Sequence, residues 1–266
     1  MSRGVIETAD LASRKVSVHS TRMEPVRIVT TSWDDGAQHD VKIAERLRTR
    51  NLPGTFYVPI SPYDGQPSLS HSQMRSLVAE GFEIGAHGFS HKHLWGLSAK
   101  ELDAEIAPCK PTLEDIIGAE VSMFCYPRGR YDANVMRALE AAGYSGARTV
   151  RMLATSLEFN PFEMSTTLQA FPHRTSSYLK NVARARFRGM QSCFAHRASL
   201  GNWMELGRKL FDSVLANGGV WHLYGHSWEI EELNLWADLE EMLDYVAGRE
   251  GVTYVPNGEL LGFRRE

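Results

Sequence analysis

Short apolar segments alternate with amphipathic stretches of helical period along most of this chain, beginning at Val26. Strands that are separated in this way by helices imply parallel βα units, in which the helices pack on the faces of one sheet. The segments that we predict to be strands are residues 26–32, 55–60, 82–86, 122–126, 144–148, 220–224 and 252–255. The predicted fold class is therefore α/β, and seven strands are close to the number in an α/β barrel.

Four of the intervening stretches begin with a side chain that can cap a helix, because Ser and Asp oxygens accept hydrogen bonds from the first free N–H groups. These predicted N-caps are Asp40, Ser70, Ser98 and Asp132. The segment 151–202 breaks the alternation and contains Pro161 and Pro172, so we predict an insertion or a long connection there. With 266 residues the chain is expected to form one domain over 26–266, preceded by a polar N-terminal arm at 1–25.

The charge balance argues against nucleic acid or an anionic membrane surface as a partner. Lys and Arg total 29 and Asp and Glu total 32, so the net charge is −3 and no overall positive field attracts polyanions. The three cysteines include no C-x-x-C pair, which is typical of free thiols in a reducing compartment. No stretch has the length and apolarity of a signal peptide or a membrane span. We therefore expect a cytoplasmic protein, and the sequence indicates no particular oligomeric state.

Two adjacent carboxylates, Asp34 and Asp35, follow the first predicted strand and precede Gly36, which permits a sharp turn. Functional sites in α/β folds lie at the carboxyl ends of strands. An isolated Asp-Asp-Gly is more often a turn with a helix cap, so this motif alone assigns no function. An adjacent pair does allow one carboxylate to bind a metal while its neighbour accepts a proton.

A second motif, from His87 to His91, follows the third predicted strand. Residues i and i+4 point the same way in a helical turn, so both imidazoles could bind one metal ion. Such a pair is more often a surface or capping feature, and His93 has no comparable partner spacing. A catalytic Zn²⁺ typically takes three nitrogen or oxygen ligands and keeps a fourth position for water. Two histidines and one of the adjacent aspartates would complete that set.

Two further strand ends carry candidate residues. The turn after the fourth strand, from Tyr126 to Asp132, contains Pro127 and Gly129, and its N–H groups could stabilise an oxyanion. The sixth predicted strand ends in His226 within an aromatic segment, where a buried structural imidazole is an equally good interpretation. Taken singly, each of these motifs is as compatible with a structural role as with a chemical one.

In their chain order, the four motifs resemble those of the polysaccharide deacetylases of the NodB type, carbohydrate esterase family four. Residues 31–36 are similar to the family's T-F-D-D-G motif, 87–91 to its H-S/T-x-x-H motif, and 126–129 to the core of its third motif. His226 stands where the family's late L-H motif is expected. The resemblance implies a distorted (β/α)7 barrel of the NodB homology type, a single domain with an insertion, and a deacetylase-like catalytic domain over 26–266.

The resemblance also implies which side chains bind the metal and which acts as the base. Asp35, His87 and His91 would hold Zn²⁺ or another divalent transition metal. Asp34 would accept the proton of the attacking water. These four residues supply the central part of the expected reaction, the hydrolysis of an acyl amide.

The remaining expected roles concern the leaving group, the oxyanion and the substrate. His226 would protonate the departing amine, and the backbone N–H of Arg128 would stabilise the oxyanion. The residues that we expect to contact the substrate are Tyr126, Pro127 and Trp228.

The chain departs from the family pattern in two places. The family has an arginine that tethers the catalytic base two residues before the proline of the third motif, and this chain has Cys125 there. Arg148, Arg128 or Arg130 could supply that charge instead. The family's fourth motif, an Asp and Trp pattern that orients the acid histidine, has no match in the expected region, and Glu229 could replace it.

The leading functional interpretation is a metal-dependent hydrolase that removes an N-acyl group, with acetyl expected, from a sugar or sugar precursor of surface-polysaccharide synthesis. A nucleotide-linked or lipid-linked precursor would suit a cytoplasmic enzyme. A basic segment could bind the phosphate of such a precursor, although basic segments of this kind are more often solvated helix faces. Its residues are Lys180, Arg184, Arg186 and Arg188. The alternatives are an amidase of the same superfamily that acts on a small amide, and a catalytically silent carbohydrate-binding relative.

Overall fold

A curled sheet of parallel strands is the central layer of the computed structural model, which describes Met1 and residues 25–62, 65–178 and 201–265. Its strands are β1 (Arg27–Trp33), β2 (Thr55–Val58), β3 (Glu83–Ala86), β4 (Met123–Cys125), β5 (Gly146–Arg148), β6 (Leu168–Gln169), β7 (Gly219–Gly225) and β8 (Thr253–Tyr254). They pair in the order β5-β4-β3-β2-β1-β7-β6, with β8 beside β1. Each of these pairings is parallel. The α/β prediction is therefore confirmed.

Helices cover the outside of the sheet. They are α1 (Asp40–Arg48), α2 (His71–Ala79), α3 (Ala99–Ile106), α4 (Cys109–Ile117), α5 (Ala133–Ala141), α6 (Trp203–Asn217), α7 (Ser227–Glu232), α8 (Trp236–Val246) and α9 (Asn257–Leu260). Helix α1 buries Ile43 and Leu47, and α2 buries Met74 and Leu77. These buried residues recur at the helical period that is visible in the sequence.

Each predicted strand overlaps an observed one, although β1 and β7 extend beyond their predicted ranges and the other five are shorter than predicted; the prediction missed β6. This strand is two residues long and lies inside the segment 151–202. Such a short strand has no periodicity to detect. Leu168 and Gln169 become a strand only through their parallel pairing with Leu223 and Tyr224 of β7.

Residues 164–169 connect the two edges of the curled sheet. At one end, the N–H of Met164 donates to the carbonyl of Ala147 in β5 at 3.0 Å. At the other end, the N–H of Thr167 donates to the carbonyl of His222 in β7 at 2.9 Å. Part of the segment predicted to be an insertion or a long connection thus closes the sheet, and the distorted barrel expected from the resemblance is confirmed.

Three of the four predicted helix caps are confirmed, and one is wrong. The capping side chains accept hydrogen bonds from backbone N–H groups in the first turn of α2, α3 and α5, and they are Ser70, Ser98 and Asp132. Asp40 is instead the first residue inside α1, after the N-cap position at His39. Its buried carboxylate accepts a hydrogen bond from the Ser227 hydroxyl at 2.6 Å, so a tertiary contact replaces the local cap.

The carboxyl ends of the parallel strands meet at one edge of the barrel, as parallel pairing requires. The residues at or just beyond these ends include Asp34 after β1, His87 after β3, Cys125 in β4, Arg148 in β5 and His226 after β7. The barrel therefore brings together side chains from motifs that are far apart in sequence.

Some expectations fall on parts of the chain that the structure does not describe. The basic run at 180–188, Cys193 and residues 2–24 of the N-terminal arm lie outside the described residues. Cys109 and Cys125 are buried free thiols. In the described ranges, no helix combines the length and the apolar character that a bilayer crossing requires.

Truncation of the closing strand tests its importance for stability. Leu168 is fully buried, so Leu168→Ala removes packed methyl groups, and we expect it to lower the free energy of unfolding by about 2–5 kcal/mol. Leu233, at 46% exposure, provides the matched control, and Leu233→Ala should change stability by no more than about 0.5 kcal/mol. Denaturant unfolding measures both. Equal effects of the two variants would contradict a structural role for β6.

Candidate active site and metal centre

Three side chains with metal-binding atoms converge at the carboxyl ends of β1 and β3. Asp35 Oδ1 lies 3.4 Å from His87 Nε2 and 3.1 Å from His91 Nε2, and one ligand atom of each residue lies within 4.8 Å of the others. Asp35 and His91 have left-handed backbone angles, with φ of 76° and 55°. Non-glycine residues rarely adopt such angles, and they concentrate at functional sites.

The donor set fits a divalent transition metal. Asp35 Oδ1 is buried and accepts no hydrogen bond among the described residues. The Nδ1–H of His87 donates to the Cys125 carbonyl at 2.8 Å, and Nε2 of the same ring faces the Asp35 carboxylate. This pattern, in which the outer nitrogen of a histidine is fixed by a carbonyl, is common for metal-ligating histidines. An aspartate and two imidazoles leave a coordination position open for water.

The Asp35 carboxylate is held in its ligand orientation by a second contact. The indole N–H of Trp228 donates to Asp35 Oδ2 at 2.9 Å, so Oδ1 remains directed at the two histidines. Burial raises the pKa of Asp35, but the imidazoles of His87 and His91 and the nearby His226 more than offset this and hold the pKa well below its ordinary value. The group is therefore ionised at neutral pH, as a metal ligand must be.

The neighbouring carboxylate, Asp34, is paired with a buried arginine. Arg148 Nη2 donates a hydrogen bond to Asp34 Oδ1, and the side chains are 0% and 3% exposed. The guanidinium also lies over the rings of Tyr57 and Tyr224, with centroid distances of 5.2 and 4.8 Å. Burial lowers the pKa of Arg148, but the adjacent Asp34 reverses this, and the pKa is raised. Arg148 is thus a permanent positive charge beside Asp34.

Of the three arginines considered as tethers for Asp34, the structure brings Arg148 to it. Arg148 in β5 lies opposite Cys125 in β4, in direct parallel register. The guanidinium group is thus provided by β5, whereas the resemblance places it on the neighbouring strand β4. Arg128 and Arg130 are exposed and make no ion pair with Asp34.

His226 stands on the opposite side of the two aspartates. Its Nε2 is 3.9 Å from Asp34 Oδ2 and 3.9 Å from Asp35 Oδ2. Its Nδ1–H donates to Glu229 Oε2 at 2.7 Å. Burial lowers the pKa of His226, but Glu229 and the two aspartates outweigh it, so the pKa is raised. The structure therefore brings Glu229 to the position that orients this imidazole.

A hydrogen-bond network that the sequence did not predict supports Glu229. Gln169 Nε2 donates to Glu229 Oε2 at 2.9 Å. Gln169 Oε1 accepts from the Tyr224 hydroxyl at 2.8 Å and from His173 Nε2 at 2.7 Å. Gln169 and His173 lie in and just after β6, and an element of two residues gave no signal by which they could have been found.

A pocket of about 230 Å³ opens onto these groups. Its lining residues are Asp34, Asp35, His87, His91, Arg128, Val150, Tyr224, His226 and Trp228. Arg128 has a left-handed backbone, with φ of 54°. The other two expected substrate contacts do not line this pocket: Tyr126 is fully buried and its hydroxyl donates to the Phe162 carbonyl at 2.9 Å, and Pro127 is buried beside it.

The chain is similar in sequence to known proteins over about half of its length. A family model described as polysaccharide deacetylase matches residues 22–147. "Putative polysaccharide deacetylase YxkH" from Bacillus subtilis (strain 168) is 24% identical over 131 residues, which are 49% of this chain and 47% of that protein. The match thus spans less than half the length of this curated relative.

Solved structures share the fold over most of the chain. A crystal structure described as a putative polysaccharide deacetylase from Mycobacterium smegmatis has a TM-score of 0.65 and 17% identity, and the match covers 91% of both chains. A CE4 family pseudoenzyme from Bacillus anthracis has a TM-score of 0.56 and 14% identity, over 91% of this chain and 67% of that one. At these identities the likeness shows the fold alone.

Metal binding can be tested with two histidines from the same loop. We expect purified wild-type chain to hold about one transition metal, and His91→Ala to lower the affinity by at least about tenfold to a hundredfold, because a ligand is lost. Exposed His93 lies two residues away, and His93→Ala should bind metal as the wild type does. Elemental analysis and zinc titration measure both. A wild type that takes up no metal when zinc is supplied would contradict the metal centre.

Proposed function

We propose that this chain, which resembles the NodB-type polysaccharide deacetylases, is a metal-dependent hydrolase that removes an N-acetyl group from a sugar. The observation that carries this proposal is the arrangement around Asp34. A buried carboxylate held by Arg148 lies beside a cluster of three metal-binding side chains, and His226 lies on the other side. A base, a metal centre and an acid in one pocket suit amide hydrolysis.

Asp35, His87 and His91 would hold the metal. When bound, a divalent transition metal such as Zn²⁺ polarises the substrate carbonyl and makes water more acidic. Trp228 contributes by fixing the outer oxygen of Asp35, and the Cys125 carbonyl contributes by fixing the tautomer of His87. These outer contacts keep the donor atoms aligned, so that the cluster is preorganised.

In this proposal Asp34 is the general base. Arg148 donates to Asp34 Oδ1, whereas Oδ2 accepts a long hydrogen bond from the Cys125 thiol at 3.8 Å and lies 3.9 Å from His226 Nε2. Oδ2 then accepts the proton of the attacking water as the oxygen bonds to the carbonyl carbon. The hydrogen bond from the positively charged Arg148 keeps the carboxylate oriented before the reaction.

His226 is the proposed general acid. With Nδ1–H bonded to Glu229, the protonated imidazole presents its Nε2–H to the pocket and donates that proton to the departing amine as the carbon–nitrogen bond breaks. The negative charge of Glu229 stabilises the imidazolium that this role requires. The backbone N–H of Arg128, at the rim of the same pocket, is the proposed donor to the oxyanion.

We further propose that the substrate is an acetylated sugar precursor that carries a nucleotide or lipid linkage, and that the protein is cytoplasmic. The free thiols of Cys109 and Cys125 are compatible with a reducing compartment. A small amide would also fit a pocket of about 230 Å³, which favours the amidase alternative. The pocket continues into a larger groove, however, and that groove favours a sugar substrate with further substituents.

A catalytically silent relative is the second alternative, since one neighbour in fold is a pseudoenzyme. The loss of the expected arginine at Cys125 favours it. Arg148 offsets that loss because it reaches the same carboxylate from the adjacent strand. A binding protein would have no use for a base, a metal cluster and a paired acid in one pocket, so we favour the enzyme.

Removal of the base tests the proposed reaction. We expect Asp34→Asn to reduce acetate release from N-acetylated sugars by about a hundredfold to ten-thousandfold, which is the contribution typical of general base catalysis. Metal content should not change, because Asp34 is outside the proposed ligand set. Asp115, which is exposed on α4, provides the control variant Asp115→Asn with full activity. Undiminished acetate release by Asp34→Asn would refute the assignment.

The pairing of His226 with Glu229 predicts a change in pH dependence. Glu229→Gln removes a negative charge that raises the pKa of His226, so the pKa should fall. Because the acid must be protonated, activity is lost above this pKa, and the alkaline limb of the pH profile of kcat/KM should move to lower pH. Glu232→Gln, an exposed change on the same helix, should leave the profile in place. An unmoved alkaline limb in Glu229→Gln would rule out this role.

A further inference from the structure

A second groove, of about 480 Å³, adjoins the metal-site pocket. Arg128, Val150 and Tyr224 line both cavities, so the two are continuous at that side. A substrate whose acyl group enters the smaller pocket would therefore extend along the larger groove. The side chains of the groove decide which substituents it accepts.

Positive charge dominates the groove. Arg128, Arg130 and Arg151 line it, and no acidic side chain is part of the lining. Two carboxylates contact lining residues from outside the groove: Glu163 Oε1 lies 3.3 Å from Arg151 Nη1, and Glu229 Oε2 accepts a hydrogen bond from Gln169 Nε2 at 2.9 Å. Within the described ranges, neither Arg128 nor Arg130 makes an ion pair or a side-chain hydrogen bond. The described part of the groove thus presents two guanidinium groups without a counter-charge.

The backbone between these two arginines is fixed. Arg128 and Gly129 both have left-handed backbone angles, with φ of 54° and 65°. A Cβ on Gly129 would lie 2.2 Å from Val150 Cγ2, so the turn is packed directly on the wall between the cavities. The turn therefore sets Arg128 and Arg130 at defined places on the rim, while their side chains stay exposed.

Arg151 is held from the other side of the groove. Its guanidinium lies 5.3 Å from the centre of the Tyr131 ring, and the Tyr131 hydroxyl donates to Glu163 Oε1 at 2.7 Å. Tyr131 is in turn stacked on Tyr126, with ring centres 4.3 Å apart. About half of the Arg151 side chain, 48%, is still exposed. Its orientation is thus fixed while donors remain accessible.

The groove also contains an exposed aromatic ring. Trp95 is 62% exposed, which is unusual for so large an apolar side chain. Its position among the arginines gives the groove a flat apolar surface beside cationic donors. This combination suits a ligand that has an apolar face and an anionic substituent, as a phosphorylated or carboxylated sugar ring does.

We propose that this arginine groove, lined by Arg128, Arg130 and Arg151, binds an oxyanion on the sugar, a phosphate ester or a carboxylate, while the acyl group occupies the metal-site pocket. The inference rests on the proposed function and narrows its substrate class to anionic acylated sugars. Guanidinium groups bind phosphate and carboxylate through paired N–H donors.

Equilibrium binding of three small sugars tests the groove. The probes are N-acetylglucosamine, N-acetylglucosamine 1-phosphate and N-acetylmuramic acid, titrated by NMR in a chain that carries Asp34→Asn so that none is consumed. We expect at least one anionic probe to bind about tenfold or more tightly than the neutral sugar, a difference typical of one charged hydrogen-bonded contact. Preference for the phosphate would indicate a linked precursor, and preference for the carboxylate an acidic sugar.

Variants identify the residues responsible. Arg130→Gln combined with Arg151→Gln should abolish the preference for the anion and leave the affinity for N-acetylglucosamine unchanged. Arg130→Gln alone, which leaves the Arg151–Glu163 pair intact, should reduce the preference in part. Arg48→Gln is the control, because Arg48 is 60% exposed at the far end of α1. Thermal unfolding confirms that each variant is folded.

Two results would overturn the proposal: equal binding of neutral and anionic probes by the parent chain, or an anion preference that survives in the double variant. The proposed deacetylation is tested separately, by acetate release from the wild type. An anion preference without acetate release from any probe would support the groove and count against the proposed reaction. Acetate release without an anion preference would support the proposed reaction and count against the groove.

Discussion

The parallel pairing of β1 with the strands around it is the constraint on which the rest of the molecule depends. β1 pairs with β2, β7 and β8, so its carboxyl end is fixed from both sides. The pairing continues past the strand, where the N–H of Asp34 donates to the Gly225 carbonyl at 3.0 Å. This bond sets Asp34 and Asp35 against His226, which follows directly. Because side chains alternate along a strand, a slip of one residue would point these groups to the wrong face, so the register of β1 determines whether the site exists.

The buried pair of Arg148 and Asp34 carries a large cost of desolvation. Removal of two charges from water costs several kcal/mol per ion before any attraction is counted, and an apolar pair of similar volume is often as stable or more so. The compensation here comes from the hydrogen bond and from the rings of Tyr57 and Tyr224 on the guanidinium. The direct register of Arg148 with Cys125 explains how the charge can occupy the neighbouring strand and still reach the same carboxylate. Asp34 therefore has a positive charge beside it, although Cys125 stands where the family pattern has an arginine.

Much of the fold and part of the candidate site could be predicted from the sequence. Features that depend on local sequence signals were predictable, and features that depend on tertiary contacts were not. Apolar segments and helical periods are local signals, so the parallel α/β class followed from them, and the resemblance supplied the distorted barrel. Which arginine reaches Asp34 could not be decided among Arg148, Arg128 and Arg130, because the answer depends on the register of β5 against β4. Gln169 could not be found because its strand is too short to have a period. Asp40 was misassigned as a cap because a tertiary hydrogen bond outweighs the local preference.

Two parts of the candidate site depend on different strands of the barrel, and those strands differ in the free energy that local opening requires. The donor cluster Asp35, His87 and His91 depends on β1 and β3, which lie in the middle of the strand order. The orientation of His226 depends in addition on Gln169, in a two-residue strand at the edge. Elements at such edges open at lower free energy than the central strands. Local opening there would release His226 while the donor cluster stayed assembled. In the proposed reaction, such a molecule would keep its metal-binding side chains in place but would temporarily be unable to protonate a leaving group.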